Sequence, residues 1–141
     1  KLLYCFKWNM KIEDHLKRLK ESLSVIEESI EKGIVERQRN IGFNASAGAM
    51  DILEILLHKN HLVDPGFILK HQWFRSKNKL SEKLPFDFPK KKEILELIVK
   101  IEEKRDVLCY GKPQPAEIVA EVIEVLSKLK KEVKGAGVDE I

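Results

Sequence analysis

The residues best suited by type and spacing to catalysis or ligand binding are Arg105, Asp106 and Tyr110. Arg105 follows Ile98 by seven residues and Ile101 by four, so a helix would place it on the apolar stripe that those isoleucines form. An unpaired buried charge costs on the order of 3–5 kcal/mol. We therefore expect the Arg105 guanidinium to meet a carboxylate, a wet cleft or an anionic ligand. Tyr110 lies on the same side of the helix, just before Gly111 ends it.

Each of these residues also has a purely structural interpretation. Glu102, three residues before Arg105, is the nearest carboxylate that could pair with it along the helix. Tyr110 could lie at the edge of the core with its hydroxyl in water, as tyrosines commonly do.

A basic segment from Lys70 to Lys92 is the second candidate for a binding surface. It contains eight basic residues against two acidic ones, with Trp73 and three phenylalanines between them. Basic residues interleaved with aromatic rings can bind a phosphate backbone and stack on bases. The alternative is a solvated connector whose aromatic residues cap the core.

The histidines give a weaker signal for metal binding. His58 and His61 lie three residues apart near a helix end, and Asp64 follows them. Three such residues fall short of a convincing zinc ligand set, and Asp64 already serves as the cap before a proline. We expect His71 to be partly buried and His15 to face solvent. The sequence thus predicts no metal site and no cofactor.

Composition places the chain in the all-α class as one domain. Its 141 residues are rich in Lys, Glu, Leu and Ile, with a net charge of only +3. The Lys/Glu load resembles that of heat-adapted proteins. Two unpaired cysteines are typical of a reducing compartment, so we expect a cytoplasmic protein. No apolar run reaches the roughly 20 residues that span a bilayer, and we expect no membrane contact.

Apolar periodicity and breakers predict an up-and-down bundle of about five helices. The predicted helices cover residues 10–33, 35–59, 65–83 and 90–110, with a last one after Pro115. The second should be central, because its run of small residues permits close packing. We assign residues 1–9 to an extension or tag, residues 10–134 to the bundle, and residues 135–141 to a frayed tail.

This pattern resembles the HEPN domains, which are small helical bundles often encoded beside a minimal nucleotidyltransferase. Their signature is an Arg, usually followed by Asn or Asp, and a His five positions after the Arg. Arg105, Asp106 and Tyr110 occupy those positions here, with Tyr110 in place of the histidine. The second helix is also similar, since it begins with Arg37 and Arg39 and then becomes small and apolar.

The resemblance implies a dimer that acts on RNA without a metal ion. In that scheme Arg105 would hold the scissile phosphate, and the family's histidine would handle the proton of the attacking 2′-hydroxyl. Tyrosine ordinarily has a pKa of about 10, so Tyr110 can donate a hydrogen bond but is a poor proton acceptor at neutral pH. The candidate catalytic residues are Arg105, Tyr110 and Asp106. The candidate nucleic-acid-binding residues are Arg37, Arg39, Arg75, Lys77 and Lys112.

Two functional interpretations follow, beside a third, a metal-dependent enzyme that uses His58 and His61, which would be excluded if those side chains diverge or no third ligand lies near them. The first is an RNA- or nucleotide-binding protein, either a degenerate ribonuclease of a toxin–antitoxin pair or the helical partner of a nucleotidyltransferase. The second is a non-catalytic interaction module that pairs with another helical protein. One shared positive groove around Arg105 would favour the first, and scattered charges would favour the second.

Overall fold

The computed structural model describes the backbone of residues 2–141 and the side chains of residues 12–141. Five α-helices form an all-α bundle, as the sequence predicts, and the described chain contains no strand. They are α1 (Leu2–Lys32), α2 (Gln38–Lys59), α3 (Lys77–Lys83), α4 (Lys91–Tyr110) and α5 (Ala116–Gly135). No helix within the described residues combines the length and apolar character needed to cross a bilayer.

Helix α2 is the centre of the bundle, as expected from its small residues. It packs against α1, α4 and α5, and nearly every residue from Ile41 to His58 is buried. The other long helices bury single stripes. In α4 the buried apolar stripe includes Ile94, Ile98, Ile101 and Leu108, which confirms the periodicity predicted for this segment.

Helix α1 differs from its prediction in two respects. Its backbone is helical from Leu2, not from Met10, and it ends at Lys32 before Gly33. Gly33 has a φ of 121°, a conformation that favours glycine, so its expected role at the helix end is confirmed. His15 was expected to face solvent, but it is only 1% exposed because it lies on the α1 face that packs against α2.

The predicted third helix over residues 65–83 is wrong. After a turn in which the Phe67 amide donates to the Asp64 carbonyl, the chain runs without helix to a 3-10 turn at His71–Arg75. Only then does α3 begin, capped by the Ser76 hydroxyl. Burial of Trp73 and its aromatic neighbours in the core outweighs the local helix-start signal at Asp64-Pro65.

The chain after α5 packs against the bundle, whereas the sequence suggested a frayed end. Val138 is 1% exposed, and Ile141 contacts the core. The Lys59 ammonium lies 2.8 Å from a Glu140 carboxylate oxygen. An apolar anchor and an ion pair to α2 therefore hold this segment.

Gly42 and Gly48 allow a matched test of close packing at α2. A Cβ on Gly42 would lie 2.9 Å from Cys109 Sγ and 3.0 Å from Leu108 Cβ, whereas one on Gly48 would meet nothing nearer than 3.5 Å. We expect Gly42→Ala to lower the free energy of unfolding by about 1–3 kcal/mol through overpacking. Gly48→Ala should raise it by up to about 1 kcal/mol through helix propensity. Urea denaturation of both variants measures the direction of each change in unfolding free energy. Equal changes in the two variants would contradict the packing argument.

Candidate nucleic-acid interface

The start of α2 and the end of α4 are held together by close packing and paired hydrogen bonds. Gly42 lets the α2 backbone approach Leu108 and Cys109. The Gln38 amide donates to the Gln114 carbonyl at 3.1 Å, and the Gln114 backbone N–H donates to Gln38 Oε1 at 2.8 Å. These contacts fix the loop after α4 beside the first turn of α2, so side chains from both helices share one surface.

Phe43 is the centre of that shared surface. The Arg105 guanidinium lies 5.7 Å from the centroid of the Phe43 ring, within the range of a cation–π contact. The Tyr110 ring meets the same phenylalanine edge to face, with centroids 5.8 Å apart. Arg105 is half-buried and Tyr110 is 67% exposed. We call this patch the arginine surface and define it by Arg37, Arg39, Phe43, Arg105 and Tyr110.

Arg105 has no carboxylate partner among the residues whose side chains are described. The predicted local partner, Glu102, instead accepts hydrogen bonds from Ser46 and His71, so the structural interpretation of Arg105 as a Glu102 ion pair is wrong. Asp106 turns toward Arg75, whose Nη2 lies 2.9 Å from its carboxylate. The guanidinium of Arg105 therefore keeps its charge available at the surface.

The other basic residues near this patch are exposed. Arg37 and Arg39 line a shallow depression of about 410 Å³ together with Phe43, Asn40 and Glu36. Lys112 is exposed in the loop that the Gln38–Gln114 bonds hold beside α2. Within the described part of the chain, none of the side chains of Arg37, Arg39 and Lys112 forms an ion pair. The arginine surface thus carries positive charge beside two aromatic rings.

Cys109 lies beneath the arginine surface and reports its electrostatics. Its thiol is buried and faces the Arg39 carbonyl, with Sγ and the oxygen 3.7 Å apart. Burial raises the pKa of this thiol, and the positive charges of Arg105 and Arg39 act in the opposite direction. The thiol therefore remains protonated and serves packing.

A buried polar network that sequence reasoning missed lies one turn before Arg105. Glu102 accepts a hydrogen bond from the Ser46 hydroxyl and another from His71 Nδ1, the latter at 2.6 Å. The Glu102 side chain is 4% exposed and that of His71 is 37% exposed, so the expected partial burial of His71 is confirmed. The sequence did contain one indication of this network, because Glu102 precedes Arg105 by three residues and lies on the inward face of the helix.

Asp106, Arg75 and Lys77 lie apart from the arginine surface, along a groove between α3 and α4. The groove has a volume of about 800 Å³, an apolar floor that includes Phe74 and Val99, and charged residues at its rim. Because Arg75 and Asp106 pair with each other, the candidate catalytic role of Asp106 and the phosphate-binding role of Arg75 have no support from this geometry. Lys77 is exposed at the rim of the groove.

Most charges of the basic segment from Lys70 to Lys92 are engaged within the fold. Lys91 donates to two backbone carbonyls, Lys90 pairs with Glu132, and Lys83 lies over the Trp73 ring. The segment is therefore closer to the connector that was the alternative interpretation than to a continuous phosphate-binding strip.

The three residues that gave the weak signal for metal binding, His58, His61 and Asp64, do not converge in the described structure. His58 is fully buried, whereas His61 and Asp64 are exposed on the turn that follows α2. His61 adopts a φ of 55°, and this left-handed residue reverses the chain immediately after the helix. His58 instead faces α1.

Comparisons with protein-family models, curated proteins and solved structures found no match to this chain.

Proposed function

We propose that the arginine surface binds RNA, with Arg105 contacting a phosphate and the half-buried ring of Phe43 and the exposed ring of Tyr110 stacking on bases. The single observation that carries the proposal is the half-buried Arg105 guanidinium, which has no carboxylate partner within the described chain and lies over Phe43. A charge retained in such a place is suited to an anionic ligand.

The contact with Phe43 favours phosphate binding because it orients the guanidinium without using its hydrogen-bond donors. Arginine has five N–H donors, and the cation–π contact with Phe43 pairs none of them with a hydrogen-bond acceptor. The Arg105 side chain forms no hydrogen bond with the described residues, so its planar fork can bind two phosphate oxygens. Arg37, Arg39 and Lys112 would add contacts to neighbouring phosphates without sequence preference.

The chemistry we propose is that of a degenerate, metal-independent ribonuclease of a toxin–antitoxin type. Arg105 would stabilise charge on the scissile phosphate, and Tyr110 would donate a hydrogen bond to it. The arginine surface contains no imidazole, because Tyr110 takes the position of the family's histidine and His71 is bound to Glu102. Binding is therefore the primary activity in this proposal, and cleavage is secondary.

The partners we propose follow from the family resemblance. A second copy of the chain would place two arginine surfaces along one RNA-binding cleft, and a minimal nucleotidyltransferase would be the partner protein. The exposed Tyr110 and Val107 provide apolar area at the end of α4 for such a contact.

Binding of a fluorescent single-stranded RNA without added metal, at two salt concentrations, tests the proposal. We expect Arg105→Ala to weaken binding by about 10–150-fold, because a hydrogen bond to a charged group is worth about 1.5–3 kcal/mol. The slope of log affinity against log salt should fall by about 0.7, the value for one lost contact to a single strand. The matched control is Arg18→Ala, which removes an exposed arginine from α1.

If Arg105→Ala and Arg18→Ala weaken RNA binding equally, the binding is non-specific electrostatic attraction, and the proposed site is contradicted. If wild type does not bind RNA even at low salt, the alternative function, a non-catalytic module that pairs with another helical protein, is favoured. In that case the apolar groove between α3 and α4 is the surface that would receive a partner protein. RNA cleavage by wild type that is lost in Arg105→Ala would establish the ribonuclease activity.

A further inference from the structure

Four ionisable side chains meet in the interior where α1 packs against α2. His15 is 1% exposed, His58 0%, Glu54 6% and Asp51 7%. Burying charged groups costs several kcal/mol each unless they are paired or bind a metal ion, on the order of the penalties for broken buried ion pairs. Two carboxylates and two imidazoles in one apolar interior therefore require a specific arrangement.

Helix geometry directs these side chains toward one point. Glu54 and His58 are four residues apart on α2, and Asp51 precedes Glu54 by three, so all three share one face. His15 lies on the α1 face that also carries the buried residues Leu19 and Ser22. Both helices are regular here, so the backbone holds the cluster rigidly.

The distances place three ligand atoms close together, and two of these atoms are at the separation that a bound ion requires. One ligand atom from each of His15, Glu54 and His58 lies within 4.8 Å of the other two. His15 Nε2 and Glu54 Oε1 are 3.4 Å apart. Zinc binds nitrogen and oxygen ligands at about 2.0–2.2 Å, which in a tetrahedron separates them by about 3.3–3.6 Å. The His15 and His58 rings are stacked with centroids 6.0 Å apart, so the two imidazoles lie side by side in the same part of the interior.

Asp51 orients the first of these ligands. Its Oδ1 lies 2.6 Å from His15 Nδ1 and accepts that hydrogen bond. This contact places the proton on Nδ1 and leaves Nε2 with its lone pair directed toward Glu54 Oε1. A carboxylate behind a metal-binding histidine fixes the tautomer and raises the basicity of the ligand. Neither His15 Nε2 nor Glu54 Oε1 has a hydrogen-bond partner within the described residues, although both are buried.

We propose that His15, Glu54 and His58 bind a divalent transition-metal ion, with Asp51 as the positioning residue behind His15. Two imidazoles and a carboxylate suit Zn²⁺ and disfavour Mg²⁺ and Ca²⁺, which prefer oxygen ligands. The ion would join α1 to α2, and because the chain supplies three ligands, a water molecule would complete a four-coordinate site. This site is independent of the proposed RNA-binding function, since it lies on the α1 side of α2.

A proton is the competing occupant of the site. Burial lowers the pKa of His15, but the hydrogen bond with Asp51 and the nearby Glu54 carboxylate raise it, and the net direction is upward. An imidazolium between two carboxylates would also offset their charges. Metal binding and protonation of His15 exclude each other at Nε2, so a direct measurement of the metal distinguishes them.

The experiment uses the untagged full chain, stripped with a chelator and dialysed against metal-free buffer. Zinc titration by calorimetry should give one ion per chain, and thermal unfolding should shift upward by about 5 °C or more at 100-fold excess over Kd. Magnesium should cause no shift. Co²⁺ in the same site should give the visible absorption of a four-coordinate ion.

Matched variants locate the ion. Glu54→Gln keeps the shape of the side chain and should weaken zinc binding by at least about 100-fold, and Asp51→Asn by about 10–100-fold. His61→Gln changes an exposed imidazole outside the cluster and should leave the affinity unchanged. Failure of stripped wild type to bind zinc would overturn the proposal without any variant. Equal zinc affinities of wild type and Glu54→Gln would also overturn it. Loss of zinc binding in His61→Gln would do the same.

Discussion

Glu102→Ala is expected to lower the free energy of unfolding by about 2–4 kcal/mol, because it leaves the buried Ser46 hydroxyl without its acceptor and removes the hydrogen bond to the half-exposed His71. The Glu102 side chain is 4% exposed and accepts hydrogen bonds from Ser46 and His71 Nδ1. Removing it leaves the buried Ser46 hydroxyl facing a small cavity between α2 and α4, whereas the half-exposed His71 can form a hydrogen bond with water. Because small domains are stable by only about 5–15 kcal/mol, this is a large share of the total.

Urea denaturation of Glu102→Ala and of Glu103→Ala gives the comparison. Glu103 is the exposed neighbour of Glu102 and has no ion pair in the described chain, so its substitution should change stability by less than about 0.5 kcal/mol. The stability of Glu102→Gln should lie between those of the two alanine variants, because an amide oxygen still accepts a hydrogen bond but carries no charge. A stability loss in Glu103→Ala as large as in Glu102→Ala would refute the importance of the network.

Trp73→Ala is the second change with a large expected effect, about 3–5 kcal/mol of unfolding free energy. Trp73 is 8% exposed and lies in the 3-10 turn between α2 and α3. Its ring contacts the Phe67 ring at 5.9 Å between centroids, and the Lys83 ammonium lies 5.8 Å from it. The indole therefore anchors the irregular segment to the bundle. Thermal unfolding of the variant would measure the loss.

Ile68→Ala is the matched control in the same segment. Ile68 is 63% exposed, so its substitution should change stability by less than about 0.5 kcal/mol. If Trp73→Ala were as stable as Ile68→Ala, the segment between Lys59 and Lys77 would be held by contacts other than the indole. His71 precedes Trp73 by two residues, so loss of the anchor should also loosen the hydrogen bond from His71 to Glu102.

The sequence alone determined those features that depend on local helix geometry. The stripe from Ile94 to Leu108 repeats at helical spacing, and the side chains of a helix follow that spacing whatever packs against them. The central place of α2 followed from its small residues, because helices approach most closely where side chains are short. The position of Arg105 and Tyr110 near one helix end was predicted for the same reason.

Local signals failed where packing competes with them. Asp64-Pro65 is a good helix start, yet the chain after it forms no helix before His71, and this path buries Leu69, Trp73 and Phe74 in the core. His15 is one of several polar residues on α1, and its spacing alone did not distinguish an inward from an outward face.

Only the tertiary structure decided which side chains meet. The pairs of Arg105 with Phe43, Asp106 with Arg75 and Glu102 with His71 join residues far apart in the chain, and the members of the last pair are 31 positions apart. The same holds for His15 and Asp51, which are 36 positions apart. Spacing along one helix fixes the direction of a side chain, but its partner depends on how the helices pack, and no short-range pattern encodes that arrangement.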